Sequence, residues 1–419
     1  MAETAVGAEP ASGPGAPPPR PARRRTALLA GGALAVAAAV VAGVLAAGGS
    51  GGARHTTRTA DGLRHTTVEV TSAGCGRGWT HPEPGHQVFD LRNTSGTPAE
   101  VYLTDPRTGA VYGEVEGLAP GTERPIRVTL GNGTYAFKCL ADDADAVTGP
   151  TVRITGGGTV KSGPAAVPIT QQELIPPTLA YQKWVQARTV ELAQKTDVLR
   201  DTIDRGDLAA ARTAWLTAHL VYERMGAAYG TFGDADSAIN GTTAGLSGGV
   251  HDADFTGFHR VEYGLWHGES AGSLRGPADR LAKAVDTLRA TWPDQRMDPA
   301  DVGLRAHEIL ENTVQFELTG RTDYGSGTNL ATVRANLDGT GVLLGYLRPL
   351  LKTRDTGLSG LDSWMARTRR TLDGHEHGGR WTPLAGLTRV QREKADADLG
   401  ELVERLSDVA ALTDVRRTA

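Results

Sequence analysis

The hydrophobic pattern changes period once along this chain of 419 residues, and that change limits the fold more than any single motif. Over residues 64–157 apolar and polar side chains alternate. Examples are His65-Thr66-Thr67-Val68-Glu69-Val70-Thr71, His86-Gln87-Val88-Phe89-Asp90-Leu91 and Ile126-Arg127-Val128-Thr129-Leu130. A period of two sets one strand face on a core and the other in water. Gly131-Asn132-Gly133 turns the chain into Thr134-Tyr135-Ala136-Phe137-Lys138-Cys139. About seven short strands in this stretch predict a small all-β sandwich. Gly156-Gly157-Gly158 opens a linker over 158–167. Beyond it the apolar spacing lengthens to three and four, in residues 184–204, 208–225, 281–291, 302–318, 330–351, 361–372 and 390–412. That period belongs to helices. It predicts an all-α bundle over 168–412, long enough for two packed four-helix units.

The N-terminus follows other rules. Residues 1–25 are rich in Pro, Ala and Gly and end in Arg20, Arg23, Arg24 and Arg25, which reads as a disordered cytoplasmic tail. Residues 26–49 carry no charge. That length suits a bilayer span, which needs roughly 20 apolar residues. The preceding arginines place the N-terminus inside. The segment is either a retained transmembrane anchor or a cleaved export signal. On both readings the rest of the chain, after a tether over 50–63, lies outside the membrane. The two cysteines of an exported chain, Cys75 and Cys139, are most simply one disulfide. A net charge of −4 with no basic face excludes a nucleic-acid partner.

The chemistry concentrates in Gly257-Phe258-His259-Arg260-Val261-Glu262-Tyr263-Gly264. On a helix, His259 and Glu262 share a face, and an imidazole with a carboxylate can bind one metal ion. His219 and Glu223 stand four apart on the 208–225 helix, and Glu308, Glu311 and Glu317 follow on a later one. Between them, residues 226–257 are broken by glycines and carry Asp234, Asp236, His251, Asp252 and Asp254. Such a loop could fold over a cation. Carboxylates with one or two imidazoles suit iron, zinc or manganese better than copper(I), and hard oxygens favour ferric iron. The bland alternatives are a surface His/Glu pair, a solvated acidic face and turn-forming aspartates. His375-Glu376-His377, in a glycine-rich loop, reads as solvated connector.

Several catalytic classes drop out. His307-Glu308-Ile309-Leu310-Glu311 begins like a zincin helix but ends on Glu, and the chain has no H-E-x-x-H. No G-x-S-x-G elbow, Walker loop or dinucleotide fingerprint occurs. The loop after Cys139 lacks the His and Met of a blue-copper site.

Taken together, these segments resemble the EfeO-type iron-uptake family, in which a cupredoxin-like sandwich precedes an imelysin-like helical domain. The resemblance covers about residues 65–412. It rests on Ala218-His219-Leu220-Val221-Tyr222-Glu223-Arg224, Phe232-Gly233-Asp234-Ala235-Asp236-Ser237-Ala238-Ile239-Asn240 and Phe255-Thr256-Gly257-Phe258-His259-Arg260-Val261-Glu262. Glu308-Ile309-Leu310-Glu311-Asn312, Ala335-Asn336-Leu337-Asp338-Gly339-Thr340 and, in the sandwich, Glu114-Val115-Glu116-Gly117 and the cysteines add to it. It implies a metal site of Glu223, Asp236, His259, Glu262 and Glu311, with His219 and Glu308 as accessory ligands. It also implies a second metal, copper or ferric iron, near Cys75, Glu114, Glu116 and Cys139. Two positions depart from the pattern. Asn240 stands where an acid is expected, and Tyr324-Gly325-Ser326-Gly327-Thr328 lacks the family's histidine.

The implied function is non-enzymatic. An extracytoplasmic component captures iron and delivers it to a membrane permease, beside a haem-dependent peroxidase. The alternatives are an imelysin-like zinc metallopeptidase built on His-x-x-Glu, and a surface protein that binds polysaccharide without metal.

Overall fold

The computed structural model describes residues 61–416 except 143, 164 and 356. The expected tail at 1–25, the apolar segment at 26–49 and most of the tether lie outside the described residues. Among the described residues no helix is long and apolar enough to cross a membrane.

The alternating region forms nine strands, two more than the periodicity suggests, because Gly74–Arg77 and Val147–Thr148 are too short to show a period. They are β1 (Arg64–Thr71), β2 (Gly74–Arg77), β3 (Gly85–Asn93), β4 (Ala99–Thr104), β5 (Val111–Leu118), β6 (Glu123–Leu130), β7 (Gly133–Ala141), β8 (Val147–Thr148) and β9 (Val152–Ile154). One sheet runs β2-β1-β3-β6 and the other β5-β4-β7-β8, with β9 also on β7. Only β1 and β3 pair in parallel; the other pairs of the sandwich are antiparallel. Val68, Leu91, Leu103 and Phe137 fill the space between the sheets. Trp79 meets Phe89 and Phe137 edge-on at ring distances of 4.7 and 5.6 Å. Edge-to-face contact aligns a positive ring edge with a negative ring face.

Cys75 on β2 and Cys139 on β7 form a disulfide that ties one sheet to the other. Both are core residues. Alternation along β5 turns Val115 into that core. Glu114 and Glu116, its neighbours, therefore point away. The four residues expected to form a second metal site are thus not brought together. The two sulfurs are consumed by a covalent bond, the two carboxylates lie on the other side of the sheet, and both oxygens of Glu114 are held by Arg416.

The helical domain comprises α1 (Gln171–Asp204), α2 (Leu208–Glu223), α3 (Tyr229–Phe232), α4 (Asp234–Asn240), α5 (Gly257–Trp266), α6 (Ala271–Thr291), α7 (Val302–Asn312), α8 (Asn329–Leu351), α9 (Leu358–Asp373) and α10 (Arg389–Thr413). A two-residue hairpin, β10 (Glu376–His377) with β11 (Arg380–Trp381), joins the last two helices. Helix α1 starts 13 residues before the periodic segment at Trp184, because a capping box fixes its start. Thr170 Oγ1 accepts from Glu173 N, and the Glu173 carboxylate accepts from Thr170 N. Helices α1, α2, α5 and α6 pack together, as do α7, α8, α9 and α10, and α8 also packs on α1 and α2. The seam between these two sets positions the site.

Sandwich and bundle meet at a small junction. Val111 and Ala166 exchange two backbone hydrogen bonds of 2.7 and 3.0 Å. Arg416, past the end of α10, grips Glu114 with Nε at 2.6 Å and Nη2 at 2.8 Å.

The disulfide closes a loop of 64 residues. Loop-closure entropy of that size is worth about 4 kcal/mol. The double substitution Cys75→Ser/Cys139→Ser is expected to lower the calorimetric unfolding temperature of the sandwich and to leave the helical circular dichroism signal in place.

Candidate functional site

Helix α5 begins where Gly257 takes a φ of +80°. A Cβ there would lie 2.3 Å from the carbonyl oxygen of Ile239, so only glycine lets the helix start this close to the end of α4. This approach brings His259 toward Glu223, the last residue of α2.

Glu223 is the centre of the arrangement. It is 5% exposed, and a buried carboxylate is costly unless its oxygens are satisfied. Three side chains satisfy it. His219 Nε2 lies 3.0 Å from its Oε1, one helical turn back. Asn240 Nδ2, at the end of α4, donates to Oε1 at 2.8 Å, while Asn240 Oδ1 lies 3.1 Å from His219 Nε2. With the Asn336 amide turned so that both its ends are satisfied, it donates to Oε2 at 3.0 Å and accepts from Thr313 Oγ1. Burial alone would raise the Glu223 pKa, but the charge and hydrogen bond of His219 outweigh it and hold the carboxyl below its usual range. In return, Glu223 raises His219 against the opposing effect of burial. The His219 ring stacks on Trp215 at 4.9 Å.

His259 lines a cavity of about 430 Å³ at the seam, together with Glu223, Glu308, Glu317, Asn240 and Asn336. Its Nδ1 faces Glu262 Oε2 at 3.3 Å, which leaves Nε2 for a ligand. Glu262 is 1% exposed and is not on the cavity wall. Its Oε1 accepts from the backbone amides of Tyr324 and Ser326, at 3.0 and 3.1 Å. Burial raises the Glu262 pKa, yet the His259 hydrogen bond and charge bring it below the ordinary value. Glu262 therefore orients His259 as a carboxylate behind a ligating imidazole does, and does not itself face the cavity.

The remaining expected residues divide. Asp236 accepts a hydrogen bond from Tyr222 Oη and lies behind the wall. Burial raises its pKa, opposed by Tyr222 and reinforced by the charge of Glu223. Glu308 lines the cavity and accepts from Arg305 at 2.6 Å. Glu311, expected as a ligand, turns outward. Its side chain is 44% exposed, beside His307 and Gln315. Glu317 takes the place given to Glu311. It is 9% exposed, with Thr322 Oγ1 donating to Oε1 at 2.5 Å and Asn329 Nδ2 to Oε2 at 3.1 Å. The cause is a π-helical turn, Thr313–Glu317, that directly follows α7. At about 100° per residue, an unbroken α-helix would set Glu308 and Glu317 on opposite sides. The wider turn swings Glu317 back to the cavity side. Sequence spacing gave no sign of it; the signal within reach was that Glu317 lies next to the broken segment 319–328.

Among the described residues, no three His, Cys, Asp or Glu side chains already close on one point as metal ligands. The acids of the cavity are instead held apart by amides and hydroxyls. Burial, then the nearby charge of Glu223, pushes the Glu317 carboxyl up to about 7. Folded Glu317 thus keeps a proton that the unfolded chain, with a pKa near 4.5, releases. Its contribution to stability is full below pH 4.5 and is lost as the pH rises through 7. Metal-free Glu317→Gln, which keeps the neutral shape, is expected to exceed the parent by roughly 2–3 kcal/mol at pH 8 and to match it near pH 4.5, measured by urea unfolding.

Residues 178–413 match the imelysin family. Related proteins include the iron uptake system component EfeO of Escherichia coli O1:K1 / APEC, 26% identical over 354 residues, which are 82% of this chain and 89% of that protein. EfeO of Yersinia pestis is 28% identical over 308 residues, 71% of this chain and 78% of its own. The iron uptake system component EfeM of Pseudomonas syringae pv. syringae (strain B728a) is 29% identical over 188 residues, 45% of this chain and 66% of its own. With more than half of its length matched, this chain belongs to the imelysin family, as an EfeO-type member.

Proposed function

We propose that this protein is the extracytoplasmic iron-binding component of an iron-uptake system, taking iron into the seam cavity and passing it to a membrane permease. One observation carries the reading. Glu223, His259, Glu308 and Glu317 come from both helix sets and line one cavity. There burial and the nearby charge of Glu223 hold the Glu317 carboxyl up to about 7. A cation entering that space replaces a proton and relieves the repulsion. Iron suits the donor set, because carboxylate oxygens with one imidazole favour hard or borderline cations. The relatives named as iron uptake system components support the same reading.

Release follows from the same balance. Acidification keeps Glu317 protonated, and metal affinity falls with it. The permease, and a haem peroxidase as a further partner, belong to the proposal. So does the placement of the chain outside the membrane, which rests on the apolar segment at 26–49.

Capture is favoured over peptide hydrolysis by the state of Glu262. Both its oxygens are engaged, by His259 and by two backbone amides, so it is not free to activate a water. A zinc-loaded chain is expected to leave a peptide library uncut. Cleavage that disappears in His259→Ala would restore the peptidase reading.

Anaerobic titration calorimetry with ferrous ion separates the residues. His259→Ala, Glu223→Ala and Glu317→Ala should each weaken binding by tenfold or more, and Glu262→Ala by about 10–100-fold through loss of the His259 anchor. Glu311→Ala should change nothing. Unaltered affinity in both His259→Ala and Glu223→Ala, with the helical signal intact, rules the site out.

A further inference from the structure

The cavity is not shaped for a metal ion alone. Its volume is about 430 Å³. Six waters around an ion take roughly 180 Å³. Part of the wall is apolar, formed by Ile309 and Phe316, and Phe316 remains 41% exposed. A fully hydrated cation gains nothing from such a wall, whereas a ligand with methylene groups does. The same wall also carries a cation of its own, Arg305. A guanidinium beside an ion-binding cavity opposes the entry of a bare cation.

Arg305 has room and donors for an anion. Its Nη1 donates to Glu308 at 2.6 Å and its Nη2 to Asp301 at 3.4 Å. A guanidinium has five N–H donors, so others remain. The backbone is arranged to admit it, since a Cβ at Gly230 would meet Arg305 Nη2 at 3.1 Å. Meanwhile the protein offers few donors to a metal. Glu223, His259, Glu308 and Glu317 line the cavity, and the carboxylates of Glu223 and Glu317 are already shared with amides and hydroxyls. An octahedral ferric ion needs further oxygen atoms from elsewhere.

We infer that the cavity accepts iron as a chelate, one ferric ion carried with a small polycarboxylate of citrate size, whose free carboxylate docks on Arg305. The chelator supplies the missing oxygens, its methylenes lie against Ile309 and Phe316, and the protein's acids and His259 complete the coordination. No bond to carbon is made or broken and no electron moves. Ligand exchange at iron releases water or one chelator oxygen. This inference rests on the iron-binding reading above and specifies what that site takes in.

Equilibrium dialysis of the full chain against doubly labelled ferric citrate, iron and carbon counted separately, tests it. The parent protein is expected to retain citrate and iron in a fixed ratio. In Arg305→Gln the citrate held per iron should fall about tenfold or more, as loss of a charged hydrogen-bonding partner requires. Arg305→Lys should restore part of it, with circular dichroism showing that each variant is folded. Iron retained without citrate in the parent, or an unchanged ratio in Arg305→Gln, overturns the chelate inference and leaves the iron site standing. Iron retained neither from ferric citrate nor as anaerobic ferrous ion defeats the iron-binding reading instead.

Discussion

Glu223 is an ionised carboxylate taken almost wholly out of water, and the helical domain is arranged around satisfying it. An acid in that position is tolerated only with its lone pairs filled. His219 fills one from its own helix, Asn240 another from the end of α4, and Asn336 a third from α8. The partners come from both four-helix sets, so this one group couples their relative placement. The segment between α2 and α5 is short-helical and broken for the same reason. It must bring Asn240 back over the end of α2 and still let Gly257 start α5 beside Ile239.

The fold was largely legible, because periodicity reports burial directly. Strands β1, β3, β6 and β7, and most helices, lie where the spacing of apolar residues puts them. What escaped was structure that carries no period. The first turns of α1 depend on a capping box, and β2 and β8 are too short to alternate. The candidate site was half legible. His259 and Glu223 stood out because a buried charged residue amid apolar spacing has no routine structural use. Glu311 comes from the resemblance to the family and faces outward, whereas Glu317 reaches the cavity through a π turn that no α-helical spacing reveals. Cys75, Cys139, Glu114 and Glu116, grouped only by the resemblance, are divided by the sandwich, with the disulfide in its core and the two glutamates on the outer face of β5.

The two departures from the family pattern are both structural participants. Asn240, standing for an acid, bridges His219 and Glu223 with its two ends, which a carboxylate could not do without adding charge. The segment from Tyr324 to Thr328, without its histidine, uses backbone amides to hold Glu262. Glycine at 325 and 327, both at positive φ, suits a loop whose alternate amides, those of Tyr324 and Ser326, reach Glu262 while the amides of the two glycines go to Asp323 Oδ1. The cavity-lining Glu223 and the His259–Glu262 pair are therefore held in place by groups other than those the family pattern suggests.

The clasp between Arg416 and Glu114 joins residues 302 positions apart. Glu114 lies on β5 of the sandwich and Arg416 just beyond α10, so the clasp closes most of the described chain into one loop. Such a distant contact adds loop-closure cost without helping either domain to nucleate. Its consequence falls on the folded state: the clasp forms only once both domains are in place, so it reports their docking and does not drive either to fold.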